Sequence, residues 1–254
     1  LSPEFGLTCN QIIKDGFKIN KKVECLLSSD TTSSIAKSVG LACISFADVY
    51  NDLAPDLLMM MGDRFELLAA AQVGLFMKIP IAHISGGDTT EGAYDESIRH
   101  SITKMSHIHF PATKDAAKRI LLMGEKPEMI FQVGCPYIDI INNTKIKSKA
   151  DLSKKYNFNQ NKRIIIFTQH PVTTEFGSSK NQIKTTLKSL KKFQDCQIIA
   201  FSSNTDAGGK EIIETVKKEQ NFINISNMES YDFLSLMACA SVMVGNSSAA
   251  IREA

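Results

Sequence analysis

Short apolar runs alternate along the chain with longer segments whose apolar positions recur at helical spacing. Residues 57–61 form a compact apolar run that predicts a buried strand, and 65–77 follow with the period of an amphipathic helix. The same reading gives strands at 79–85, 107–111 and 129–133, and helices at 95–106 and 115–123. Strand and helix in regular alternation predict a parallel sheet with crossover helices. Polarity then rises over 142–155, where Asn142, Asn143, Thr144, Lys145, Lys147 and Lys149 crowd together. A domain boundary is expected there, dividing the chain into 1–145 and 146–254. Beyond it the alternation resumes, with strands at 163–168, 197–201, 222–225 and 242–244. Helices are expected at 180–193, 209–219 and 231–239, and a further one opening at Ser247. The fold class is therefore α/β: two Rossmann-like domains with parallel sheets, flanking a cleft. No residue-level repeat relates the two halves.

Charge and composition narrow the function classes. The 29 basic and 27 acidic residues leave a net charge of +2, too small an excess to drive nucleic-acid binding by counterion displacement. No apolar run reaches the roughly 18 residues of a membrane span, so no membrane partner is expected. Cysteines at 9, 25, 43, 135, 196 and 239 form no CxxC pair and no zinc spacing. They read as reduced thiols in a cytoplasmic protein without a metal. Leu1-Ser2-Pro3-Glu4-Phe5 lacks a leader's charged and apolar regions, and Ile251-Arg252-Glu253-Ala254 falls inside an expected helix. Both ends read as those of a fragment.

Four constellations fall at the C-terminal ends of predicted strands, where open α/β sheets bind ligands. Gly62-Asp63-Arg64-Phe65-Glu66 follows the first strand, although an aspartate there also serves as a helix N-cap. His83 to Gly92 is a glycine-rich loop dense in acids, equally compatible with an acidic surface turn. It leads into Asp95 and Arg99, which share a helix face. His170 ends an isoleucine-rich strand, with Pro171 fixing the chain behind it, although a lone histidine there is more often structural than catalytic. Gly245-Asn246-Ser247-Ser248 lies between a strand and a helix start, where backbone N–H groups and two hydroxyls suit a diphosphate or an ordinary cap. Neither GxGxxG nor GxxxxGK[ST] occurs, so no dinucleotide or P-loop site is expected.

Taken together, Asp63-Arg64-Phe65-Glu66, the run from Ile98 to His107, Gln169-His170-Pro171-Val172-Thr173 and Gly245-Asn246-Ser247-Ser248 resemble the hydrolysing UDP-N-acetylglucosamine 2-epimerase family of sialic-acid and related pathways. The resemblance runs from Leu1 to Ala254. It implies the GT-B architecture, a UDP-sugar substrate, no cofactor and a homo-oligomer. It also implies a strand with a nucleotide-binding loop before Leu1 and closing helices after Ala254. Its chemistry is abstraction of the C2 proton, elimination of UDP and hydration to the free 2-epimer, here N-acetylmannosamine from UDP-N-acetylglucosamine. By resemblance Asp63 and Asp95 are the active-site carboxylates and His170 the catalytic histidine near the leaving diphosphate. Ser247 and Ser248 bind the diphosphate and Glu253 the ribose, while Arg64 and Arg99 are substrate-binding.

One position departs from the family. Ser85 stands where well-studied members carry glutamate, and a hydroxyl is no base at neutral pH. Asp88 or Glu91, in the same loop, is expected to take over as the proton-returning acid, with Ser85 bonding the sugar. Three alternatives remain open at this point. One is the same reaction on UDP-2,4-diacetamido-2,4,6-trideoxyglucose; the others are a GT-B glycosyltransferase and a non-catalytic UDP-sugar binder.

Overall fold

The computed structural model describes residues 1, 7–29, 31–91, 93–172, 174–175, 177–204 and 206–253. The chain divides into two units, 20–136 and a discontinuous one that joins 1–19 to 137–254. The division falls after Pro136, the first residue of a helix at Pro136–Asn143, whereas the lysine-rich stretch suggested 145/146. Tyr137 and Ile140 of that helix line a cavity with Phe201 and Phe233, which places it with the later residues.

The unit 20–136 holds a parallel sheet in the order β1 (Leu58–Met61), β2 (Ile81–Ile84), β3 (Ile108–Phe110). Its helices are α2 (Thr32–Leu53), α3 (Phe65–Phe76), α4 (Asp95–Met105) and α5 (Lys114–Leu122). Helix α2 starts on Thr31, whose hydroxyl accepts the Ser34 N–H at 3.2 Å, and ends on Ala54 in the left-handed region. Isoleucine, alanine and methionine fill the core, with Ala69, Ala71, Ile81, Ala82, Ile102 and Ile120 fully or almost fully enclosed. The strand expected at 129–133 is not formed. Pro127 opens a 3-10 turn over Pro127–Met129, and Gly134 turns the chain at φ +85°. Between them only Ile130 bridges to His109, with two further N–H bonds from Phe131 and Val133.

The other unit begins with α1 (Cys9–Lys14) and continues with α6 (Pro136–Asn143) and α7 (Lys149–Tyr156). Its parallel sheet runs β6 (Phe222–Ile225), β5 (Cys196–Phe201), β4 (Arg163–Thr168), β7 (Val242–Gly245). Helices α8 (Ser179–Leu190), α9 (Gly209–Lys217), α10 (Ser230–Cys239) and the single turn α11 (Ala249–Arg252) complete it. The period of two along β4 sorts its side chains. Ile165 and Phe167 join Ile183, Leu187 and Ile212 of α8 and α9 on one face. Ile164 and Ile166 join Leu152 of α7 and Leu236 of α10 on the other. Buried Asp232, at the start of α10, accepts from Lys147, Lys155 and Tyr156, and Glu229 accepts from Lys14 of α1 and Lys155. Burial alone would raise the Asp232 carboxyl, but those three donors outweigh it and hold the group at about 2. Among the described residues no helix is long and apolar enough to cross a membrane.

Chain order places the reversal point of this second sheet. It proceeds outward from β4 to β5 and β6, then returns to pair β7 with the opposite edge of β4. The reversal of chain order therefore falls between β4 and β7, the position at which doubly wound sheets open a crevice at the C-terminal ends of their strands.

Candidate active site

Asp63 follows β1 and Gly62, and its carboxylate is bound by a buried guanidinium. Arg99 of α4 is 3% exposed and donates from Nη2 to Asp63 Oδ2 and, at 2.9 Å, to Thr90 Oγ1. Its Nη1 donates to the Asp88 carbonyl at 2.9 Å. Asp95, the second expected carboxylate, begins α4 one turn before Arg99 and shares its helix face. Arg64 lies over the Phe65 ring, 5.0 Å from its centroid, with its Nε 3.4 Å from Glu66. Beneath Asp63, enclosed His83 bonds from Nε2 to the Gly62 carbonyl at 2.8 Å and from Nδ1 to Thr103 Oγ1 at 3.2 Å. A carbonyl only accepts, so Nε2 carries the proton. Burial holds this imidazole down to about 4, against smaller upward pulls from the Gly62 carbonyl and Asp63.

The glycine-rich loop is strapped from below. Ser85 is buried at φ +61° and its N–H bonds the Phe110 carbonyl at 3.0 Å. Arg119 of α5 takes the Gly87 carbonyl, Arg99 takes that of Asp88, and Glu96 accepts the Thr90 N–H at 2.7 Å. At Gly87, φ +81°, a Cβ would overlap the Ala116 carbonyl oxygen, so the loop lies against α5 without room for a side chain. Of the two acids expected to replace the missing carboxylate, Asp88 is half-buried and Glu91 exposed. Gly92 lies outside the described residues.

In the other unit, His170 stands just beyond β4 and Asn246 just beyond β7. The Asn246 side chain receives the His170 N–H at 2.7 Å and donates to its carbonyl at 3.0 Å, extending the strand pairing by a side chain. Gly245 permits this. At φ +139° it faces Thr168, and a Cβ would overlap the Thr168 carbonyl oxygen. The His170 ring meets the loop after β5: Asn204 N–H donates to Nδ1 at 3.2 Å and Ser203 Oγ lies 3.4 Å away. Thr173 of the same motif lies outside the described residues.

Beside that crevice, Ser247 and Glu253 line a cavity of about 330 Å³ with Thr168, Phe201, Ser226 and Met228. Burial raises the Glu253 carboxyl, with the Arg252 charge opposing. Ser248 is exposed and caps α11 without a side-chain bond, while Ser247 Oγ accepts the Ala249 N–H at 3.3 Å. The helix expected to open at Ser247 thus begins two residues later and makes a single turn.

Sequence reasoning assigned no role to His83, Glu96, Thr103, Arg119, Asn204 or Asp206. The first three sit inside or beside the motifs and the last three lie outside them. Only folding shows which carbonyl or ring nitrogen each one meets.

A family model described as UDP-N-acetylglucosamine 2-epimerase matches residues 1–254. The chain is 41% identical over 258 residues to a GDP/UDP-N,N'-diacetylbacillosamine 2-epimerase (hydrolyzing) of Campylobacter jejuni, covering 100% of this chain and 67% of that protein. It is 38% identical over 207 residues to a UDP-N-acetylglucosamine 2-epimerase of Neisseria meningitidis serogroup B, covering 80% of this chain and 54% of the other. A crystal structure of UDP-GlcNAc 2-epimerase from Neisseria meningitidis bound to UDP-GlcNAc superposes with a TM-score of 0.73 at 20% identity, covering 94% of this chain and 67% of that one. The chain thus spans about two thirds or less of the proteins it matches.

Proposed function

The chain belongs to the UDP-N-acetylglucosamine 2-epimerase family, and from that premise we propose that it provides the catalytic residues of a hydrolysing 2-epimerase for UDP-2,4-diacetamido-2,4,6-trideoxyglucose. The observation that carries this reading is the placement of Asp63 and His170, each directly beyond the C-terminal end of a parallel strand, in a chain that the family matches throughout. Asp63 takes the C2 proton, and its ion pair with Arg99 fixes the carboxylate that must do so. As the C2–H bond breaks, the C1–O pair departs with UDP, leaving a glycal; water then adds at C1 and a proton returns to C2 from the other face. Asp95, with Asp88 or Glu91, supplies that proton. His170 meets the departing diphosphate, which Ser247 and Ser248 bind, and Glu253 holds the ribose. Arg64 and Ser85 bind the sugar. Arg99 serves chiefly to hold Asp63, with both Nη2 hydrogens on Asp63 and Thr90 and one Nη1 hydrogen on the Asp88 carbonyl.

The 41% relative favours the diacetamido sugar. A second reading, UDP-N-acetylglucosamine, is favoured by the 38% relative. Incubation with each UDP-sugar in deuterated water decides between them. The expected products are UDP and a free sugar inverted at C2 that carries deuterium there. A sugar released only in the presence of an acceptor would instead mark a glycosyltransferase, and UDP binding without release a binding protein.

A further inference from the structure

We propose that Asn204 and Asp206 are positioning residues that lock the His170 ring with its proton on Nε2, so that His170 serves the reaction as a neutral hydrogen-bond donor and carries no proton between groups. The inference rests on the proposed role of His170 at the departing diphosphate.

The loop after β5 is built around one asparagine. Asp206 is 4% exposed; its Oδ2 accepts from Asn204 Nδ2 at 2.5 Å, and its N–H donates back to Asn204 Oδ1 at 3.3 Å. Both ends of the Asn204 side chain are thus held by one residue, and the Asp206 carbonyl receives the Gly209 N–H at 2.9 Å as α9 begins. At Gly209 a Cβ would overlap the Asn204 carbonyl oxygen, so the helix start packs directly on this turn. The Asn204 N–H that remains is aimed at His170 Nδ1, 3.2 Å away. On the other side, Asn246 grips the His170 backbone through both its N–H and its carbonyl. Main chain and ring are therefore fixed by different strands.

A backbone N–H only donates, so Nδ1 must be an acceptor with a lone pair. A neutral imidazole with Nδ1 unprotonated carries its hydrogen on Nε2. Protonating Nδ1 as well would set two donors face to face and forfeit the Asn204 bond. The ring is thereby suited to donate from Nε2 to an oxygen whose negative charge grows as the C1–O bond breaks. The electron pair of that bond goes to the diphosphate oxygen, the C2 proton goes to the carboxylate, and the Nε2 hydrogen stays on the ring.

Two measurements test this. Long-range ¹⁵N–¹H spectra of the protein resolve the ring nitrogens of its 5 histidines, and His170→Gln identifies the His170 signals by their loss. The expected pattern is a protonated Nε2 and an unprotonated Nδ1, changing to a tautomer mixture in Asp206→Ala. Wild-type protonation at Nδ1, or a pattern unmoved in Asp206→Ala, overturns the lock; the wild-type spectrum decides even where that variant does not fold. In the second measurement, His170→Gln, whose amide places an N–H near Nε2, keeps turnover within about tenfold of wild type. His170→Ala falls by about 10²-fold or more, the range of a lost acid–base or donor group. Equal loss in both variants overturns the donor role. Absence of wild-type turnover on any UDP-sugar would instead sink the proposed function, while the spectra still judge the lock.

Discussion

At the scale of single residues, the proposed site rests on a partly exposed acid held by a buried base. Asp63 keeps 25% of its side-chain exposure, but its partner Arg99 keeps only 3%. Asp63→Asn should lower kcat by about 10²-fold or more in an assay of free-sugar release. Arg99→Gln should match it and also lower stability by about 3 kcal/mol, the low end for breaking a buried pair on one side. A wild-type denaturation midpoint in that variant would show that Arg99 does not hold the loop. His83 makes a second, pH-dependent prediction. Its folded value of about 4 lies below the ordinary 6.5, so the unfolded chain binds the proton first. The stability it contributes is complete above pH 6.5 and is lost as pH falls towards 4. Melting curves across that window should show a decline that His83→Gln reduces. These pairings are not legible in the sequence. Asp63 and Arg99 stand 36 positions apart and Asn204 and His170 34, and neither separation follows a helix or strand period.

At the scale of elements, legibility tracks how strongly packing imposes a period. The isoleucines of β4 and the spaced apolar residues of α8 are buried on defined faces, and both elements lie within three residues of their expected bounds. Helix α2 gives no such signal. It buries little beyond Ile35, Ser38, Ala42 and Tyr50, so its apolar stripe is interrupted by small and polar residues. Helices α6 and α7 fall within or against the polar stretch that suggests a linker. The apolar run at 129–133 misleads in the opposite direction, because hydrophobicity says nothing of the turn residues that flank it. Strand β7 offers the sharpest test of backbone geometry. Gly245→Ala adds a methyl that overlaps the Thr168 carbonyl at a positive φ, so it should cost about 1–3 kcal/mol and dislodge Asn246 from His170. A variant with unaltered melting would contradict that contact.

At the scale of the whole molecule, the parallel sheets and the reversal beside β4 are legible as an α/β alternation, and the four motifs supply the family. Sequence does not reveal that the first nineteen residues group with the last stretch rather than with their neighbours. Nucleotide binding should respect that division. Hydrogen exchange with UDP alone is expected to protect 226–234 and 246–253, which surround the 330 Å³ cavity, far more than 81–91. Protection strongest in the glycine-rich loop would move the uridine away from Glu253.

The discontinuous unit also sets an order of events during synthesis. Lys14 pairs with Glu229 across 215 positions, so at about 5–20 residues per second its partner emerges roughly 10–40 s later. In that interval residues 20–136 leave the ribosome as an unbroken stretch that can close its own sheet. Lys14 meanwhile waits for Glu229. The segment around Lys14 is thus incorporated only after residues far later in the chain have emerged, and the discontinuous unit matures after the one enclosed within it.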